Sequence, residues 1–402
     1  MSNAYGDNQE AVRTLAGATV LQIVPELREG PVARTALNVA QALLQWGARA
    51  LIAAEDGPLA DELKSIGGEW VPLVNDTSNL FKLRRSARIL EELIAGERVD
   101  IVHAQSAGGA WCAHLAASQI AVWLVTTLPD VPPKSRLRAF WASSLARGDR
   151  VIAPSSYAAA AMMDRYRLPR ERITVVPRGI DTATYDPAAV DGRRISALCA
   201  AWKISDDARI VLAPGRVAPW NGQVLLPGIA KKLADAGVPN VVFVLAGENR
   251  SQKKYAHSIL EQAKTHGVQK MFRLIGHCRD MPAAFASADV VAVPATQPPV
   301  LGRVVAQAQA MGRPVVTTDI GVLPEHVVTP PEMPEDVRTG WVVKPGDAEA
   351  FSGALLAALS LDDTAYRAMC ARSRQFAEYM FSPQSVAAAT RAVYTSLLAR
   401  DT

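Results

Sequence analysis

The chain of 402 residues has little cysteine, few histidines and no long apolar run, and each shortage removes a class of protein. Its four cysteines, Cys112, Cys199, Cys278 and Cys370, lie far apart. None belongs to a Cys-x-x-Cys pair or a zinc-like Cys/His spacing, so neither a structural metal nor a disulfide framework is expected. No stretch approaches the ~18 apolar residues of a membrane-spanning helix. The opening residues, MSNAYGDNQEAVRTLAG, lack the basic and apolar segments of a secretory signal. The expectation is a cytoplasmic protein. Net charge is only +4, too weak an excess to expect nucleic acid as a partner, though compatible with phosphorylated or anionic-lipid partners.

What is present is a large apolar fraction, 49%, against 20% charged residues, the balance of a folded chain rather than a disordered one. At this length two cores are expected. Short apolar runs alternate with amphipathic stretches. ATVLQIV (18–24), ARALIAA (48–54), VDIVHA (99–104), IAVWLVTT (120–127) and DRVIAPS (149–155) read as strands. Helices are expected over 35–47, 83–96 and 156–167. After GIDTATYDPAAVDGRR (179–194), read as a linker, the pattern restarts. Strands are expected over 208–214, 240–247, 271–276, 289–295 and 313–319, with helices over 221–237 and 302–312 and across KKYAHSILEQAKTHG. This predicts an α/β chain of two Rossmann-like, doubly wound parallel-sheet domains, 1–188 and 189–383. Facing one another, they would place a ligand cleft at the carboxyl ends of both sheets. Two Pro-rich loops, 128–135 and 329–336, are candidate cleft walls or plain surface loops.

Seven segments carry a resemblance: PGRVAPWNG (214–222), GHCRDMPAAFASADVVAVPAT (276–296), PPVLGRVVAQAQAMGRPVV (298–316), GVLPEH (321–326), VIAPSSYAAAAMMDRY (151–166), ITVVPRGIDTATYDP (173–187) and VDIVHAQS (99–106). Jointly they resemble the family-4 retaining glycosyltransferases of the GT-B fold. The resemblance implies a nucleotide-sugar donor on the second domain and a glycan or lipid-linked acceptor on the first, as in lipopolysaccharide or exopolysaccharide synthesis. It also implies a last helix, 384–402, that returns to the first domain.

The donor chemistry needs stabilisation of a departing nucleoside diphosphate. With no Asp-x-Asp pair to hold a divalent metal, the negative charge is expected to meet arginines and helix N-termini, and no cofactor is expected. By resemblance Arg216 is the pyrophosphate arginine, and Asn221 stands where the family has lysine. Gly302 opens a helix whose N–H groups would face the phosphates. Pro299 and Gln307 occupy the two positions where the family keeps carboxylates for the sugar and the ribose. Val300, Leu301 and Arg303 complete that segment, and Glu325 is retained beyond it. Gly247 and His277, Cys278 and Arg279 fall where the family holds the base, largely through backbone groups. In the first domain, His103 is the catalytic candidate beside Gln105. The loop REGPVART (28–35) keeps Gly30 and Arg34 but carries Pro31 and Ala33. Pro129-Asp130 replaces the family's His-Gly. Arg178, Gly179 and Asp181 keep the crossover, with a plain turn-and-cap role as the alternative.

The framework therefore matches while the polar positions of the cleft differ. An active transferase with a modified donor site and a catalytically impaired relative serving as partner of an active paralogue both fit. An epimerase or phosphorylase on the same fold fits less well. Lys82, Arg84, Arg85 and Arg88, then Arg136, Arg138, Arg147, Phe140 and Trp141, form basic stretches with interspersed apolar residues. They could rest on anionic lipid at the inner face of a membrane, or be ordinary solvated helix faces.

Overall fold

The computed structural model describes residues 15–399 apart from 76, 78, 119, 130, 134, 249–251 and 300. Asp130 and Val300 thus lie outside the described residues. The chain divides into two compact units, one of residues 1–179 with 383–402 and one of 180–382.

The first unit carries a parallel sheet of seven strands: β1 (Thr19–Glu26), β2 (Arg49–Glu55), β3 (Glu69–Pro72), β4 (Ile101–Ala104), β5 (Trp123–Thr127), β6 (Arg150–Ala153) and β7 (Ile173–Val175). Their order is β3-β2-β1-β4-β5-β6-β7, so the winding reverses between β1 and β4. Side chains alternate across the sheet. On β2, Ala50, Ile52 and Ala54 enter one core while Leu51 and Ala53 enter the other. Both faces are covered, which explains why the strands read as unbroken apolar runs. The helix Pro383–Leu398 joins the first of these cores through Val386, Val393, Tyr394 and Leu397.

The second unit has six parallel strands: β8 (Arg209–Pro214), β9 (Val241–Ala246), β10 (Phe272–Gly276), β11 (Val290–Val293), β12 (Val315–Thr318) and β13 (Gly340–Val343). The order β10-β9-β8-β11-β12-β13 puts its reversal between β8 and β11. Val211 and Ala213 of β8 point into one core, Ile210 and Leu212 into the other.

The contact boundary falls at 179/180, not at 188/189. Residues 180–188 belong to the second unit because they are bonded into it. Ile180 N–H donates to the Phe381 carbonyl at 2.9 Å, and Ile180 packs with Ala306, Ala310, Ala377 and Phe381. Arg374, on the helix Asp363–Phe381, donates to the carbonyls of Tyr185 at 2.6 Å, Ala310 at 2.8 Å and Thr182 at 3.1 Å. Nor is 179–194 free linker. Asp181 accepts from the Ala183 and Thr184 N–H groups, and a helix already starts at Gly192, capped by Asp191. The helix expected over 221–237 begins only at Leu226, because Pro227 fits best in a first turn. Two short 3-10 turns, Pro219–Asn221 and Gln223–Leu225, precede it.

Candidate functional site

A cavity of about 180 Å³ opens in the second unit at the reversal between β8 and β11. Its walls come from the ends of those strands (Ala213, Pro214, Ala292, Val293), from Asn221 and Gln223, and from Pro299, Leu301, Arg303 and Val304. The position follows from topology. Where neighbouring connections leave on opposite faces of the sheet, no crossover helix covers the strand ends.

Three glycines shape the loops around it. A Cβ on Gly247 would sit 1.8 Å from the Gly215 carbonyl oxygen, so the turns after β8 and β9 can touch only through a bare glycine. Gly222 has φ of +69° and presents the same vacancy to the Pro294 carbonyl. Gly302 has another reason. Its Cβ would lie 2.9 Å from the His326 ring, so this glycine admits an imidazole from its own chain. His326 is buried, stacked on Phe381 with centroids 4.6 Å apart, and burial pushes it down to about 4.

The sequence-derived donor residues separate into groups. Asn221, Pro299, Leu301 and Arg303 line the cavity together. Arg216 is exposed in the adjoining turn, and its carbonyl accepts from Asn221 Nδ2 at 2.7 Å and Gln223 Nε2 at 3.0 Å. Asn221 therefore ties down the arginine loop. Gln223 has the same duty and was not singled out in the sequence, where a lone glutamine after a glycine carries no signal. The helix Arg303–Ala310 starts beside the cavity with no side-chain cap and no acid in its first turn, leaving its positive dipole end uncompensated. Arg303 is the charged residue of the lining, and no carboxylate is among the described lining residues.

Gln307 is placed differently. It is buried close to the Tyr185 hydroxyl, which burial raises above the usual phenol range despite the nearby Arg303. His277, Cys278 and Arg279 follow β10, two strands from β8, and are not part of the cavity lining. The Cys278 thiol is raised by burial. Asp280 caps the helix Met281–Ser287 and takes two hydrogen bonds from Arg194, which hold its carboxyl below the usual range.

In the first unit, His103 is 3% exposed at the end of β4. Its Nδ1 shares a 2.6 Å hydrogen bond with the Tyr394 hydroxyl, and its Nε2 shares one of 2.6 Å with Thr127 Oγ1. Burial pushes the imidazole down to about 3. Both nitrogens are thus engaged, and the ring fastens β4 and β5 to the last helix. The polar side chains around the β1/β4 reversal donate to neighbouring groups, while Asn75 Oδ1 is buried without a hydrogen-bond partner. Gln105 donates to Gln22 Oε1, Gln22 to the Ala36 carbonyl, and Asn75 to the Val24 carbonyl. Gly30 precedes the helix Pro31–Gln45, and Arg34 in that helix is paired with Glu29 and Glu62. Arg178 donates to the Pro129 carbonyl at 3.3 Å.

Two family models match the chain: Glycosyltransferase Family 4 over residues 32–184 and Glycosyl transferases group 1 over 197–376. A D-inositol 3-phosphate glycosyltransferase of Salinispora tropica is 29% identical over 238 residues, 58% of this chain and 47% of that protein. Its counterpart in Salinispora arenicola is 31% identical over 193 residues, covering 44% of this chain and 41% of that protein. The matches thus span about half the length of these relatives. Among solved structures, a glycosyltransferase of Rickettsia africae superposes with a TM-score of 0.78 at 23% identity, over 95% of this chain and 99% of that one. HepE of Anabaena, solved in complex with UDP, gives 0.73 at 20% identity over 94% and 100%. At these identities the structural likeness speaks for the fold.

Proposed function

We propose, for a chain that belongs to the family-4 glycosyltransferases of the GT-B fold, that the β8/β11 cavity binds the diphosphate of a nucleotide-sugar donor whose glycosyl group is transferred with retention to a glycan or lipid-linked acceptor. The observation that carries this reading is the convergence of Arg303, the Arg216 turn and an uncapped helix N-terminus on one cavity without a lining carboxylate. As the bond from sugar C1 to the phosphate oxygen breaks, charge grows on the diphosphate, and these groups stabilise it. The bond from C1 to the acceptor oxygen forms, and the acceptor proton passes to the departing phosphate oxygen. UDP is the first nucleotide to test, since it is bound in the HepE structure. A role in cell-envelope polysaccharide or lipopolysaccharide synthesis belongs to the same proposal.

A second reading, a catalytically impaired partner or scaffold of an active paralogue, is favoured by one feature. The replaced positions are built into the fold: Asn221 holds a loop and Gln307 is buried beside Tyr185. Calorimetric titration with UDP, GDP and ADP, followed by turnover assays with their sugars, separates the two. Binding weakened about tenfold or more by Arg303→Ala or Arg216→Ala, with sugar released or transferred, supports the transferase. The same binding without turnover supports the partner role. No heat with any nucleotide sinks the donor-site reading and leaves the partner role.

A further inference from the structure

We infer that one face of the first unit is a docking surface for an anionic membrane. Three neighbouring helices build it: Leu80–Gly96, Ala107–Ala117 and Arg136–Ala142. The middle helix joins the outer two. Its Cys112 Sγ lies 3.8 Å from the Leu83 carbonyl of the first, and its Trp111 ring lies 5.9 Å from Phe140 of the third. Trp111 Nε1 also donates to the Trp141 carbonyl at 2.9 Å.

Large apolar side chains stand in solvent along this face. Leu80 is 65% exposed, Phe81 84%, Leu137 84% and Phe140 66%, with Leu115 and Ile89 exposed to a lesser degree. Such exposure is tolerated singly, but a group of this size on adjoining helices marks a contact surface. The core-facing residues of the Leu80–Gly96 helix, Leu83, Ala87, Leu90 and Ile94, are buried separately, so the exposed side chains are surplus to that core.

The charge near these residues is predominantly positive, and the Leu80–Gly96 helix turns acidic only at Glu91 and Glu92. Lys82, Arg84, Arg85, Arg88, Arg136 and Arg138 are exposed, and the sequence from 80 to 90 contains no acid. Among the described residues none of these six forms an ion pair. Elsewhere in this unit Arg28, Arg34, Arg49 and Lys64 each meet a carboxylate. Arg147 closes the edge, its guanidinium 4.8 Å from the Trp111 ring centre. Unpaired cations next to exposed Phe and Leu select a partner offering both anions and hydrocarbon. A bilayer with anionic headgroups offers both, the phenylalanines and leucines entering the acyl boundary while the arginines stay among the headgroups. A polyanion such as RNA satisfies the charges but leaves Phe81 and Leu137 in water.

Co-sedimentation of the full chain with phosphatidylcholine vesicles, with and without phosphatidylglycerol, tests this. Binding to the phosphatidylglycerol vesicles alone is expected. It should fall at least about tenfold with Arg84→Glu plus Arg85→Glu, and equally with Phe81→Ser plus Leu137→Ser, in raised as well as in low salt for the second pair. All four sites are exposed, so both variants should keep the wild-type thermal midpoint, and circular dichroism confirms that each is folded. Equal binding to neutral and anionic vesicles overturns the inference. So does vesicle binding indifferent to either pair, or retention of RNA without retention of any vesicle.

Discussion

His103 and His326 show how single residues connect the fold to pH. Both are buried as neutral rings, at about 3 and about 4 against an ordinary value of ~6.5. The folded value lies below the unfolded one, so the unfolded chain binds the proton first. The stability tied to each ring is complete above ~pH 6.5 and declines as pH falls from there toward the folded value, by up to ~1.4 kcal/mol per pH unit for each histidine. Urea midpoints should therefore be lower at pH 5 than at pH 7, and His103→Gln should shrink the difference while lowering stability at pH 7. Equal midpoints at the two pH values would contradict burial of the neutral rings. The same residues mark a limit of local reading. Gly302 stands in a motif that suggests phosphate contact, yet the atoms that require a glycine come from His326, far along the chain. No spacing rule registers such a pair.

At the scale of elements, Arg374 is the central fastening of the second unit. It is largely buried and donates to three carbonyls that belong to the crossover and to the helix beside the cavity. Arg374→Met would leave those oxygens without a donor and should destabilise the second unit by about 2–4 kcal/mol, while the first unit melts as before. Calorimetry checks this, and a shift confined to the first unit would refute it. Much of the element pattern was legible beforehand. β1, β2, β8 and β9 are long and apolar enough to read directly, and the amphipathic helices at 83–96 and 253–265 show their period. The elements that escaped have physical reasons. β3, β7 and β13 are short edge strands, mostly half-buried or exposed, without the continuous buried run of an inner strand. The helices Ala107–Ala117 and Ala348–Leu359 are apolar nearly all round, so no stripe distinguishes them from strand.

At the scale of the whole molecule, the first unit is closed by residues from the other end of the chain. Val386, Val393, Tyr394 and Leu397 lie in its core, and Tyr394 supplies a partner of His103. Burying four such side chains is worth roughly 6–10 kcal/mol, comparable to the entire stability of a domain. A chain shortened to end at Ser382 should therefore lose the cooperative unfolding of the first unit and keep that of the second. Limited proteolysis should digest residues 15–179 and spare 180–382. Survival of both units would show that the last helix is dispensable.

The sequence by itself determined that the chain is α/β with two parallel sheets, and it contained the motifs of the family. Strand alternation, helix period and glycine placement are local quantities, set within a few residues by backbone geometry. Tertiary structure alone decided where the units divide and which polar groups remain available to a ligand. Arg216 and Arg303 are exposed beside the cavity, while His103 and Gln307 are buried and His103 is bonded to Tyr394. A buried polar group takes whatever partner the packed chain brings to it, and for His103 these are Thr127, 24 residues away, and Tyr394, 291 residues away.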